Sequence, residues 1–278
     1  MSDFAGRSGQ AWTAEPNHSA AAAPAAPSEG SAGASKVPEV TAVFWIVKIL
    51  TTGMGETASD YLARVLGPVP AVASAALVLT AALVAQSRTR RYVPAVYWFA
   101  VIMVSVFGTM AADVAHVALG VPYALSAAAF AAALALVFVL WRWTEGTLAV
   151  ETVAGGRREA YYWTVVMATF ALGTAVGDLT AATLGWGYLP SALLFAALIA
   201  LPALAHRLFS LPPVLGFWWA YVLTRPLGAS FADWAGVGTE RGGLGLGTGP
   251  VSLALAVVIV AAVARLGAAG RRAPQRVG

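Results

Sequence analysis

Beyond Val40 the chain reads as apolar runs of about 20 residues, the length a helix needs to cross a hydrocarbon core of about 30 Å, divided by short joints that carry most of the charges and turn residues. Eight runs are present, at 40–63, 69–86, 93–118, 121–143, 160–184, 188–209, 213–236 and 249–268. They predict an all-α polytopic membrane bundle of eight transmembrane helices, a membrane domain over 36–268. Residues 1–35 are rich in Ala, Pro, Ser and Gly and poor in large apolar side chains, so they cannot offset the entropy of ordering and are expected to form a disordered tail. Residues 269–278 are expected to form a short basic tail. The first tail lacks a basic start followed by a continuous apolar run, so the first helix is not read as a cleaved leader.

A longer period lies over the apolar one. The pattern W-x9-G-x4-D occurs as Trp45, Gly55, Asp60; as Trp98, Gly108, Asp113; as Trp163, Gly173, Asp178; and as Trp218, Gly228, Asp233. Every aspartate after Asp3 falls on it, which makes it an internal repeat. Seven residues after the first three aspartates stand Gly67, Gly120 and Gly185, the turn into the second helix of each unit. The fourth unit departs, with Thr239, Glu240, Arg241 and the run from Gly242 to Gly249 predicting a longer, more flexible loop. The bundle is therefore four parallel two-helix repeats, at about 40–86, 93–143, 160–209 and 213–268, each entering the bilayer in one orientation around an axis along the membrane normal. A pseudo-fourfold ring and a two-plus-two arrangement both satisfy this, and both put the four motifs at one depth.

Composition agrees: 59% of residues are hydrophobic and 11% charged, more apolar surface than a water-soluble domain could bury. The net charge of +4 raises nucleic acid as a partner, but the arginines sit in short runs between apolar segments, with no basic or aromatic-basic face. They are topology signals. Arg7, Lys36, Arg88, Arg90, Arg91, Arg142, Arg157, Arg158, Arg207, Arg265, Arg271, Arg272 and Arg276 fall on one side, against Arg64 and Arg241 on the other. Both termini are accordingly expected in the cytoplasm, and the protein in the cell membrane. Having no cysteine excludes a disulfide framework, a thiolate metal site and a cysteine nucleophile.

The stretch Lys36-Val-Pro-Glu-Val-Thr, Phe44-Trp45, Lys48 and Gly55-Glu-Thr-Ala-Ser-Asp60, with its looser echoes in the later units, resembles a family of bacterial membrane-anchored proteins built from four tandem two-span repeats of unknown function, each with a characteristic tryptophan. The resemblance covers about residues 36 to 268. It implies eight spans and the repeat, and carries no activity.

Five acids lie within the spans, Glu56, Asp60, Asp113, Asp178 and Asp233, opposed by Lys48 and Arg225 and accompanied by His116. Each ionised side chain at a helix centre costs roughly 2.5–3.5 kcal/mol on insertion scales, so these groups must face protein or water. Fifteen residues separate each Trp from its Asp, an offset of about 60° and about 22 Å, so both share a helix face near opposite ends. Trp45, Trp98, Trp163 and Trp218 are expected near the cytoplasmic interface as anchors and packing residues. Gly55, Gly108, Gly173 and Gly228 are expected where helices approach closely. One turn before each Asp stand Glu56, Thr109, Thr174 and Ala229, so unit one carries two stacked carboxylates, expected to share a proton. Asp113 and His116, three apart, are expected to form a second titratable pair. Arg225 takes the place of the small polar Thr52 and Ser105 and is expected to be a fixed counter-charge; Lys48 is expected to pair with an acid.

Carboxylates with at most one imidazole suit a proton or a hard cation such as magnesium or manganese. The leading expectation is a transporter of a small cation or proton, with the bilayer as its other partner and no cofactor. A cation-selective channel with an Asp ring and a structural or interaction protein are the alternatives. An enzyme is not expected: no G-x-S-x-G elbow, H-E-x-x-H, P-loop or dinucleotide fingerprint is present, and fourfold repetition does not suit one asymmetric catalytic site.

Overall fold

The computed structural model describes residues 35–272. Apart from Ser35, the expected disordered tail lies outside the described residues, with Arg7; so do Arg276 and the end of the expected basic tail. Among the described residues the chain forms eight α-helices: α1 (Ala42–Leu66), α2 (Pro68–Arg88), α3 (Pro94–Asp113), α4 (Tyr123–Glu145), α5 (Gly156–Asp178), α6 (Tyr188–Phe209), α7 (Pro213–Gly236) and α8 (Thr248–Arg272). The last runs past the expected limit at 268. α3 and α5 continue beyond their aspartates as π-helical turns, Val114–Ala118 and Leu179–Thr183.

Local chemistry sets these boundaries. The Thr41 side chain accepts a hydrogen bond from the Phe44 amide and caps α1. α2, α3 and α7 start on proline, whose missing N–H is unneeded in a first turn. Gly67, Gly120 and Gly185 have φ of +82°, +64° and +68°, the left-handed backbone that a side chain disfavours, and each turns its unit back across the bundle.

The odd helices form an inner ring, α1 against α3, α3 against α5, α5 against α7 and α7 against α1. Each even helix covers the next unit, α2 packing on α3, α4 on α5, α6 on α7 and α8 on α1. Two rings of side chains close in the same cyclic order. A Cβ on Gly55 would strike Ser105, one on Gly108 would strike Phe170, one on Gly173 would strike Arg225, and one on Gly228 would strike Thr52, so each glycine admits a side chain from the next unit. The residue before each Trp packs on the next unit's Trp: Phe44 on Trp98, Tyr97 on Trp163, Tyr162 on Trp218 and Phe217 on Trp45, with centroids 5.8, 5.7, 6.3 and 5.5 Å apart. The arrangement is the pseudo-fourfold ring, not two plus two.

The layering follows from burial. Of the apolar windows, 61% of α3 and of α5 is buried, against 22% of α2 and α4 and 11% of α8. The outer helices turn Leu77, Leu136 and Leu253 outward, a surface suited to lipid and not to water. α2, α3, α4, α5 and α8 are long and apolar enough to cross a membrane, whereas α1 and α7 carry charged residues toward the ring interior. The protein is a multi-pass helical membrane protein.

Two expectations change at the end of the bundle that carries residues 35 and 272, here the base. Trp98, Trp163 and Trp218 are buried, with only Trp45 half-buried, because their rings pack around the axis; they are packing residues more than interfacial anchors. Lys36 is likewise not a free topology charge. Its Nζ pairs with Glu159 at 2.5 Å and donates to the Ser87 carbonyl at 3.1 Å, while its amide donates to the Val153 carbonyl and the Tyr92 amide donates to Ser35. The segment entering α1 is thus tied to units two and three. At the opposite end, the mouth, the loop of unit four folds back on α7: the amides of Leu244, Gly245, Leu246 and Gly247 donate to the carbonyls of Trp234, Val237, Ala235 and Gly236. Backbone bonding of this density makes it an ordered flap, contrary to the flexible loop expected.

Candidate functional site

Because a helix repeats nearly every four residues, the inward face of each odd helix presents a ladder at four-residue steps, and the ring stacks the ladders into layers. From the base upward, the first layer is Phe44, Tyr97, Tyr162 and Phe217, where the Tyr97 and Tyr162 hydroxyls meet at 2.5 Å. Lys48, Val101, Val166 and Tyr221 come next, all fully buried. Thr52, Ser105, Phe170 and Arg225 follow, then Glu56, Thr109, Thr174 and Ala229, and finally the four aspartates.

The centre of the ladder is occupied by Arg225. Its Nη2 pairs with Glu56 Oε2 at 2.5 Å and donates to the hydroxyls of Thr109 and, at 2.7 Å, Thr174. Three units thus contribute equivalent positions to hold one side chain of the fourth, and Ala229, the equivalent on α7 itself, leaves room for it. Nη1 makes a long 3.4 Å contact with the Thr52 carbonyl, and Nε has no partner. The guanidinium also lies 5.4 Å from the Phe170 ring centroid, within range of a cation–π contact. Arg225 is fully buried and Glu56 6% exposed. The counter-charge expected at Arg225 is therefore placed against Glu56.

Above this layer opens a cavity of about 700 Å³ at the mouth. Glu56, Asp60, Asp113, Asp178 and Asp233 all border it, with Tyr123 and Tyr188 at its side and Arg64 and Arg241 at its rim. Pro68, Ala71, Val72 and Met110 give it one apolar wall. Asp60 has a loose pairing with Arg64 at 3.7 Å, and Arg241 is held by the Tyr188 hydroxyl at 2.7 Å. Among the described residues Asp113, Asp178 and Asp233 have no side-chain hydrogen-bond or ion-pair partner, although Asp233 is only 9% exposed. All three line the cavity. Among the described residues, however, no three acids or imidazoles come close enough to hold one metal ion.

Two local expectations, for His116 and Lys48, are corrected by this geometry. His116 does not meet Asp113: the π turn carries it toward α4, where Nδ1 lies 3.0 Å from the Val121 carbonyl, Nε2 3.3 Å from Ser126, and the ring stacks on Tyr123. Glu56 and Asp60 each have an arginine beside them, Arg225 at 2.5 Å from Glu56 and Arg64 at 3.7 Å from Asp60. Among the described residues Lys48 has no acidic partner. Its Nζ is fully buried without a hydrogen bond, 4.4 Å from the centroids of both Phe170 and Tyr221. Glu159, by contrast, was not singled out in the sequence; it sits at the start of α5, where an acid reads as ordinary helix-terminus chemistry.

Four segments of the chain, residues 43–92, 96–147, 161–210 and 216–271, match the family described as Repeat of Unknown Function (DUF347). No curated protein and no solved structure matches the chain.

Proposed function

We propose that this chain, which belongs to the Repeat of Unknown Function (DUF347) family, is a carrier for a small cation, bound where its four repeats meet and moved without chemical change. The observation that carries the reading is the convergence of all five intramembrane acids on one cavity, three of them without a partner. Carboxylates in a membrane are costly, and four at equivalent positions, three of them without a partner, around a space large enough for a small molecule call for a positively charged occupant. Beneath the cavity the axis is filled by the Arg225 layer, then Lys48 and Tyr221, then the joined tyrosines. A filled axis favours alternating access over an open pore. The spread of the acids favours a proton or an organic cation over a chelated metal ion.

In this reading both termini and the base lie in the cytoplasm, since the joints at that end carry the arginine runs, and the cavity faces outward across the cell membrane. The protein reconstituted in liposomes should give a saturable, Asp-dependent cation current on a solid-supported membrane. Asp178→Asn is expected to abolish it while leaving insertion intact. Retained transport in all four single Asp→Asn variants would defeat the proposal.

A further inference from the structure

We infer that the Glu56–Thr109–Thr174 centre is a binding subsite for a guanidinium or primary ammonium head group, and that Arg225 fills it in the absence of ligand as a tethered competitor. The inference rests on the carrier reading of the cavity above it and adds the chemical class of the ligand.

The subsite is complete in itself. A buried carboxylate, two hydroxyls from equivalent positions of two other units and the face of Phe170 surround one cation. These are the groups that recognise a planar guanidinium by charge, by N–H donation and by its face. Yet the tether spoils the fit. All three side-chain acceptors crowd onto Nη2, Glu56 is met by that one nitrogen and not by a two-nitrogen fork, and Nε has no acceptor. The backbone fixes this compromise, because the Arg225 stem lies in the notch left by Gly173, with Pro226 immediately following. A free guanidinium has no such constraint and can present two parallel N–H groups to the carboxylate.

Access is also built in. Glu56 borders the cavity while its Oε2 holds Arg225, so a ligand in the cavity meets the same carboxylate from above. Asp233, one-tenth exposed on the same helix as Arg225 and two turns toward the mouth, borders the same cavity and adds negative charge above the subsite. The wall of Pro68, Ala71, Val72 and Met110 suits a short alkyl chain. A ligand of this kind exchanges one cation for another at Glu56, so the buried carboxylate is never left bare.

The test uses n-butylguanidinium chloride and the full-length protein in detergent, with affinity measured by calorimetry. If Arg225 occupies the subsite about nine-tenths of the time, the apparent affinity of the unaltered protein is reduced about tenfold, by the fraction of competent sites. Arg225→Ala should therefore bind butylguanidinium about tenfold more tightly, and Glu56→Gln in the same chain should remove the gain. Equal affinity in the unaltered and Arg225→Ala proteins overturns the inference, and so does a gain that persists without Glu56. Should Arg225→Ala not fold, Arg225→Lys keeps the charge on a side chain that cannot reach all three acceptors; a several-fold gain dependent on Glu56 is then required. Tight Glu56-dependent binding without butylguanidinium uptake into liposomes leaves the subsite standing and sinks the carrier reading, whereas uptake of other cations without this binding does the reverse.

Discussion

Glu56 and Arg225 form a buried ion pair whose two charges sit on the first and last units, and a double-mutant cycle measures what that pair does for the fold. Glu56→Gln keeps the shape but leaves a fully buried guanidinium with only hydroxyl and carbonyl acceptors. Removing one partner of such a pair costs about 3–5 kcal/mol. Arg225→Met leaves Glu56 unpaired, but this carboxylate borders the cavity, where water relieves part of the penalty, so about 2–3 kcal/mol is expected. The double variant has neither charge to satisfy, and apolar replacement of a whole buried pair is close to neutral. A coupling of about 5–8 kcal/mol, the sum of the two single costs, follows. For a chain of this length about 2–4 °C of melting temperature corresponds to each kcal/mol, so Glu56→Gln should melt about 6–20 °C early and the double variant close to the parent. The 10 tryptophans give an intrinsic fluorescence signal for thermal unfolding in detergent. A double variant as unstable as the sum of the single ones would refute the argument, because the two groups would then act independently.

The other predictions address separate parts of the structure. Gly228→Ala places a Cβ 2.8 Å from the Ile49 carbonyl oxygen, a backbone atom that cannot step aside, and should cost about 1–3 kcal/mol, whereas Gly216→Ala, with its nearest neighbours at 3.6 and 3.7 Å, should be neutral or stabilising by up to about 1 kcal/mol; comparing the two melting temperatures checks both. Lys48→Met retains the packing between Phe170 and Tyr221 but removes a buried donor without an acceptor, so a gain of about 1 kcal/mol is expected, and a lower melting temperature would show that the amine has a partner in the working protein. Glu159→Gln strips the counter-charge from Lys36, and trypsin should then cut after Lys36 markedly faster than in the parent, where that side chain is 1% exposed; unchanged cleavage would mean the segment is held without the ion pair.

The helices and their inward faces were legible because both rest on spacing. Apolar runs of bilayer length located all eight helices to within a few residues, and the W-x9-G-x4-D period put the aspartates in one layer and grouped Glu56 with Thr109 and Thr174. Spacing along a helix says nothing of what stands across from it. The ring could not be chosen over two plus two until Gly173 was seen to receive Arg225, and Gly228 to receive Thr52. The same limit explains His116, where a π turn rotates the chain away from the α-helical register that predicts contact with Asp113. It also explains Lys48, since a lone cation among apolar residues suggests an acid by charge alone, while the nearest groups are two aromatic faces. The pairing of Lys36 with Glu159 was hidden for the same reason, because a basic residue just before a span looks the same in sequence whether or not an acid lies opposite.

A ring made from tandem repeats has one joint unlike the others. Units one to two, two to three and three to four are linked by the chain, but the contact of unit four with unit one has no covalent connection and must be held by side chains alone. Polar contacts gather at that seam. The Thr52 hydroxyl donates to the Thr224 carbonyl at 3.1 Å, Arg225 contacts the Thr52 carbonyl and pairs with Glu56, and Arg64 donates to the Thr248 hydroxyl at 2.9 Å near the mouth. The departures from fourfold symmetry are thus located where symmetry would leave the ring weakest: Glu56, in the layer that otherwise holds Thr109, Thr174 and Ala229, falls on unit one, and Arg225, in the layer of Thr52, Ser105 and Phe170, on unit four. The same placement has a mechanical consequence for a carrier. On the carrier reading, a cation that drew Arg225 away from Glu56 would remove one of the polar contacts at the one joint the chain does not enforce, coupling occupation of the cavity to the α1–α7 contact. Alternating access in this architecture would then proceed by opening the seam, with the three covalently linked joints moving as a unit.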